Sequence, residues 1–276
     1  MSEPKDVKDT DIGNQLDRQY AWRGGDEANW DAWAELKRWP AADVLGEAIR
    51  RSTSSEPSVR ASSCDAFAIA WRGLKQSGAE DADDCRRRLT ELLFDPVGEV
   101  ALRAAVAASD IDAPIDTSRL KARIHHADAT VRYAVATALG GRHDDACATE
   151  ALIELSRDAD EEVRDWSTFY LANQRAGDTA AIADALLARL DEPNPEIRGE
   201  ALIGLANHLD PRGLPFVKRE LAGPFQGAWF IEAAAKYADP DFLPMLLAMR
   251  LKLDSRDREA FEGELDEAIR ACRTRT

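Results

Sequence analysis

The sequence predicts an all-α fold of antiparallel helix pairs stacked along one direction, and three observations predict it. A Val-Arg or Ile-Arg pair with Leu eight residues after its first member occurs at Val131, Val163 and Ile197, and in worn form at Val100 and Trp229. The anchors are spaced 31, 32, 34 and 32 residues apart, and a fixed period of that size marks stacked supersecondary units. Each anchor also follows an apolar helical segment and a short polar turn. Neither helix of such a pair can bury its apolar stripe alone, so neighbouring pairs must stack.

Along the chain, residues 1–15 read as a disordered segment and 16–40 as capping helices. Trp30, Trp33 and Lys37 share a helical face there, near Trp22 and Trp39, which suits a cap laying its indoles on the first repeat. About six repeats fill 41–240. The first, AADVLGEAIRRSTSSEPSVRASSCDAFAIAWRGL, carries Val59-Arg60 and lies 41 residues before Val100. The extra length is assigned to the polar stretch KQSGAEDADD. CRRRLTELLFD, the break DPVG and the Val100 helix follow, and then TSRLKARIHH, ADAT and VRYAVATALGG, whose Gly140 and Gly141 suit a left-handed helix end.

The unit at Val163 shows the grammar most fully. Ala151, Leu152 and Leu155 make an amphipathic first helix, and Glu161 and Glu162 open the second, where carboxylates meet the positive end of the helix dipole. Val163, Ser167, Tyr170 and Leu171 then share one face. Next come TAAIADALLARL, a turn marked by Pro193 and Pro195, and EIRGEALIGLANHL; proline is tolerated near a helix start and breaks its interior. RGLPFVKREL and AWFIEAAAKYAD form the last full unit. Residues 241–276, DFLPMLLAMRLKLD and SRDREAFEGELDEAIRACR, read as two capping helices with charged outer faces.

Composition bounds the function classes. Hydrophobic residues make up 45% of the 276 and charged residues 32%, which supplies a core and a well-solvated surface. No signal peptide or membrane span is expected. Cys64, Cys85, Cys147 and Cys272 are scattered without metal-ligand spacing, so reduced thiols and a cytoplasmic location are expected. Net charge is −15, and residues 141–210 alone carry −10 of it. That surface repels a phosphate backbone and attracts a basic protein.

The helix pairs, the acidic turn, the Val-Arg opening and the Ala-Leu-Gly finish of VRYAVATALG resemble HEAT repeats, and more specifically the short bacterial class named for phycobilisome lyases. The resemblance covers roughly 41–254. It implies a right-handed α-solenoid with a binding surface lined by the second helices, and it transfers no catalytic residue. In such stacks the recurring arginine, here Arg60, Arg132, Arg164 and Arg198, pairs with turn carboxylates of its own or a neighbouring repeat and holds the register. Asp128, Asp160 and Glu196 are the expected partners.

The candidate binding residues are exceptions to the pattern. Where sister units carry small residues, the helix opened by Val163 carries Asp165, Trp166 and Phe169, the last two on one face. Arg103, Ala134, Glu200 and Glu232 stand at the positions equivalent to Trp166, and Tyr133 at that equivalent to Asp165. Asp165, Glu200 and Glu232 would then form a carboxylate line ending in aromatics, suited to arginine or lysine side chains. His125, His126 and His143 with Asp144 and Asp145 lack a convergent third ligand, so neither metal nor cofactor is expected.

The function expected is therefore non-enzymatic: a scaffold or adaptor that takes a basic protein on an acidic surface, in its concrete form an inhibitor or immunity-type protein. Two alternatives are kept open. Asp165 beside Trp166 is superficially like the pocket of helical-repeat DNA glycosylases, which need a basic groove that this chain lacks. A bilin lyase or chaperone-like role rests on the family name alone.

Overall fold

The computed structural model describes residues 12–20, 36–77, 82–111, 114–142, 144–174, 179–224, 227–252 and 255–274. Among them every regular element is helical. The chain divides into two compact units, 1–138 and 139–276. An all-α array of stacked helix pairs is what each unit shows.

In the first unit, α1 (Ile12–Tyr20) precedes α2 (Ala41–Ser52), α3 (Pro57–Ser77), α4 (Ala82–Leu92) and α5 (Gly98–Asp110), followed by α6 (Thr117–Lys121) and α7 (Ala129–Leu139). α1 begins at Ile12, inside the stretch that the sequence assigns to a disordered segment. Trp22, Trp30 and Trp33 lie outside the described residues. α3 packs against α2, α4 and α5, and Val44, Ala48, Phe67, Leu89, Leu93, Val100 and Ala104 are buried there. Each large aliphatic or aromatic side chain so buried contributes roughly 1.5–3 kcal/mol. α3 extends through Ser77 into the polar stretch read as an insertion.

The segment TSRLKARIHH holds only five helical residues, after which the backbone turns. The Arg123 guanidinium donates to the backbone carbonyls of Leu93 (2.6 Å) and Asp95 (3.2 Å), anchoring that turn to the end of the preceding first helix.

The second unit comprises α8 (Ala146–Leu155), α9 (Glu161–Ala172), α10 (Thr179–Leu187), α11 (Pro195–Asn207), α12 (Leu214–Ala222), α13 (Trp229–Tyr237), α14 (Leu243–Lys252) and α15 (Ser255–Thr274). The second helices of the pairs pack in succession, α9 on α11, α11 on α13 and α13 on α15, while α8, α10, α12 and α14 back them. Helix starts are fixed by side-chain caps. Asp145 accepts from the Ala148 N–H, Asp160 from Val163 and Asn194 from Glu196, with Pro195 at the first helical position.

The recurring arginines clamp turns. Arg132, Arg164 and Arg198 each donate through one terminal nitrogen to two carbonyls of their own turn: His126 and Ala127, Asp158 and Ala159, Glu192 and Pro193. Arg60 does the same to Ser54 and Ser55. Arg60, Arg164 and Arg198 also engage carboxylates further along the chain, Asp95, Glu192 and Glu220 respectively. Asp95 and Glu192 lie in the turn of the next repeat, as the expected pairing with a neighbouring turn carboxylate has it, whereas Glu220 lies on α12. Asp160 and Asp128 accept from the Val163 and Thr130 N–H groups.

Candidate acidic and aromatic binding face

On α9 the buried face carries Val163, Ser167 and Leu171, which leaves Trp166 and Phe169 outward, each 37% exposed. Their rings meet edge to face with centroids 5.7 Å apart, and Tyr170 adjoins both at 5.9 and 5.5 Å. Tyr170 itself lies against Gly140, where an added Cβ would stand 2.3 Å from the ring. The aromatic cluster is thus seated on Gly140, and Trp166 and Phe169 are its exposed rings.

Asp165 is half-buried, and its Oδ1 is enclosed with no hydrogen-bond partner. Burial, reinforced by the charges of Glu196, Glu161 and Glu162, pushes its pKa up to about 6. On α11, Glu200 is raised to about 7 by burial and then by Asp165, Glu232 and Glu196. Trp229 works in the opposite direction. Glu232, on α13, is exposed and pairs with Lys236 at 3.4 Å. The structure therefore brings Asp165 and Glu232, on the second helices to either side, within electrostatic reach of Glu200.

Trp229 is marked by the sequence only as a worn anchor, not as part of the acidic row. It stands where the repeat places Val, and an added Cβ at Gly199 would meet its Cβ at 2.4 Å. Gly227, at φ +140°, leaves room for the far edge of the indole, where a Cβ would stand 2.0 Å from the ring. The two glycines seat the indole beside Glu200. Gly199, at the position equivalent to Asp165, is the one sequence signal of that close approach.

Tyr133 lies half-buried on α7 in the first unit. In the same unit Arg103 faces Asp65 at 3.8 Å and Glu99 at 3.6 Å. His125 and His126 are exposed, His143 lies outside the described residues, and among the described residues no three His, Cys, Asp or Glu side chains converge as a metal set. No described helix is long and apolar enough to cross a membrane.

The raised carboxylates set an expected pH dependence. Below the ordinary carboxylate range Asp165 and Glu200 are neutral in folded and unfolded chains alike, and they carry no penalty. As pH rises, the unfolded chain ionises first, so these two groups progressively disfavour the fold until Glu200 also ionises near 7. The combined variant Asp165→Asn/Glu200→Gln is expected to be more stable than the parent at pH 8 and to lose that advantage at pH 4. Denaturant midpoints at the two pH values check it, and an advantage that grows toward pH 4 would contradict it.

Comparison with known proteins bears on the repeats. Residues 117–206 match the family model for HEAT repeats. Protein YibA of Escherichia coli K12 is 34% identical over 141 residues, which are 51% of this chain and 49% of YibA, and protein YibA of strain O157:H7 gives the same figures. The aligned part thus spans about half the length of these curated relatives. The crystal structure of Escherichia coli YibA superposes with TM-score 0.63 at 20% identity, covering 98% of both chains, which is a likeness of fold.

Proposed function

We propose that this chain, whose residues 117–206 form a HEAT-repeat array, is a non-enzymatic interaction scaffold that takes a basic protein on the acidic and aromatic face of its second unit. The observation that carries the proposal is the row Asp165, Glu200 and Glu232 beside Trp166 and Phe169. Two of those carboxylates are partly dehydrated and repel each other, and Asp165 has an unmet oxygen. A partner's guanidinium or ammonium group relieves both penalties, and the exposed indole and phenyl rings offer faces for the same cation. An inhibitor or immunity-type protein that masks a basic toxin or nuclease is the concrete form that this charge supports.

The test is affinity capture from the native cell at low and high salt, with Asp165→Lys/Glu200→Lys set beside Glu262→Lys, an exposed acid on α15. A basic protein is expected, bound at least roughly thirty-fold more weakly by the double variant and undiminished by the control. Capture that ignores the double charge reversal, or a captured partner that is itself acidic, would overturn the proposal.

A further inference from the structure

At the C-terminal ends of α9 and α11 lies a polar cleft of about 390 Å³, lined by Asn173, Gln174, Ile203, Asn207, His208, Glu232 and Lys236. Gln174 is 1% exposed, yet neither its Oε1 nor its Nε2 has a hydrogen-bond partner. Its backbone is fully engaged: the N–H donates to the Leu171 carbonyl at 3.1 Å, and its own carbonyl is 3.1 Å from His208 Nε2. The main chain is pinned at both ends while the carboxamide is left bare. A buried donor and a buried acceptor on one side chain each carry a desolvation penalty.

The groups around it have fixed orientations. Asn173 Nδ2 donates to the Phe169 carbonyl and Asn207 Nδ2 to that of Ala172, both at 2.9 Å. A carbonyl can only accept, so the two Oδ1 atoms are the uncommitted acceptors. By the same logic the Nε2 of a neutral His208 carries the proton and its Nδ1 accepts. Lys236 and Glu232 neutralise each other. The cleft therefore has no strong net charge, several acceptors, and one carboxamide that needs an acceptor and a donor side by side.

We propose that this cleft is a seat for a peptide main-chain amide. The Gln174 carboxamide, enclosed in the free chain, turns into the cleft, where its Nε2 and Oε1 pair with the C=O and N–H of that amide, and the following N–H meets Asn207 Oδ1. The ligand is an extended segment of the protein partner, so the inference rests on the protein-binding function proposed above. Glu232 belongs to both sites and makes them continuous on one unit.

Two measurements test it. Gln174→Met keeps the length of the side chain and removes both unmet atoms, so its Tm is expected to exceed the parent's by about 2 °C or more. A variant that melts lower would show that the carboxamide is already satisfied, by a resident water or by the fold, and would overturn the proposal. In the unaltered protein, N-acetylglycine N-methylamide is titrated while the side-chain NH₂ signals of Gln174 and Asn207 are followed by NMR. Saturable shifts at both are expected, with a dissociation constant on the order of millimolar, and Gln174→Met should abolish the shift at Asn207. Absent or non-saturating shifts, or an equal response to N-methylguanidinium, would overturn it. Asp165→Lys/Glu200→Lys is expected to leave this titration unchanged, so loss of partner capture and loss of amide binding report separately.

Discussion

Replacing Arg60 with Leu is expected to destabilise the first unit by about 3–5 kcal/mol, the cost of breaking a buried ion pair from one side. The Arg60 guanidinium meets the Asp95 carboxylate through two bonds, 2.7 and 3.0 Å, with side-chain exposures of 14% and 7%. It also satisfies the carbonyls of Ser54 and Ser55. Without it, Asp95 keeps the Val97 N–H at 2.9 Å and a largely buried charge with no counter-ion on that side. Burial works against ionisation of Asp95, but the hydrogen bonds from Arg60 and Val97 outweigh it and hold the carboxyl below its ordinary range. Stability from this source is present above that range and lost as pH falls through it, so parent and variant converge in acid. Urea midpoints at pH 7 and pH 3 measure both. Arg60→Leu/Asp95→Asn should lose distinctly less than Arg60→Leu alone. An equal loss would mean that the carbonyl clamp, and not the ion pair, holds the turn.

That ladder shows how far the sequence could be read. The arginines announce themselves because the period is imposed by stacking: the units at Val59, Val131, Val163 and Ile197 repeat the turn and with it the clamp. Of their carboxylate partners, Asp95 and Glu192 lie in the turn of the neighbouring repeat, while Asp128 and Asp160 accept from the Thr130 and Val163 N–H groups. The partners that do reach the arginines, Asp95, Glu192 and Glu220, lie 35, 28 and 22 residues on, and a varying offset leaves no regular mark. Asp165, Trp166 and Phe169 were visible as departures from the period. Gln174 was not, because it follows the helix end, where no face periodicity applies, and only burial reveals its unmet carboxamide. Trp229 was legible as a worn anchor, but its seat on α13 depends on Gly199 and Gly227 leaving space for an indole.

Gly204→Val is expected to cost about 3 kcal/mol or more, although valine has a better helix propensity than glycine. Gly204 lies within α11 where that helix meets α9 and α10. An added Cβ would stand 2.6 Å from Leu186 Cδ1, 2.7 Å from Ala172 Cα and 2.9 Å from Ala172 Cβ. The leucine methyl can swing aside, but the Ala172 backbone cannot move without displacing α9. Alanine at this position gains roughly 1 kcal/mol of helix propensity and loses about 1–3 kcal/mol to overpacking, so even this smallest change is expected to be destabilising. Valine adds two more methyls to the same contact. Gly46 supplies the opposite case. It is exposed within α2 with nothing inside 4 Å of an added Cβ, so Gly46→Ala should stabilise by about 0.5–1 kcal/mol. Denaturant melts of the two alanine variants should thus move in opposite directions. The same close approach lets Asn207 on α11 reach the Ala172 carbonyl at the end of α9, and so it sets one wall of the cleft at Gln174. Gly204→Ala should therefore also weaken the amide titration, and a stabilised Gly204→Ala with an intact titration would mean that α9 and α11 do not meet at Ala172.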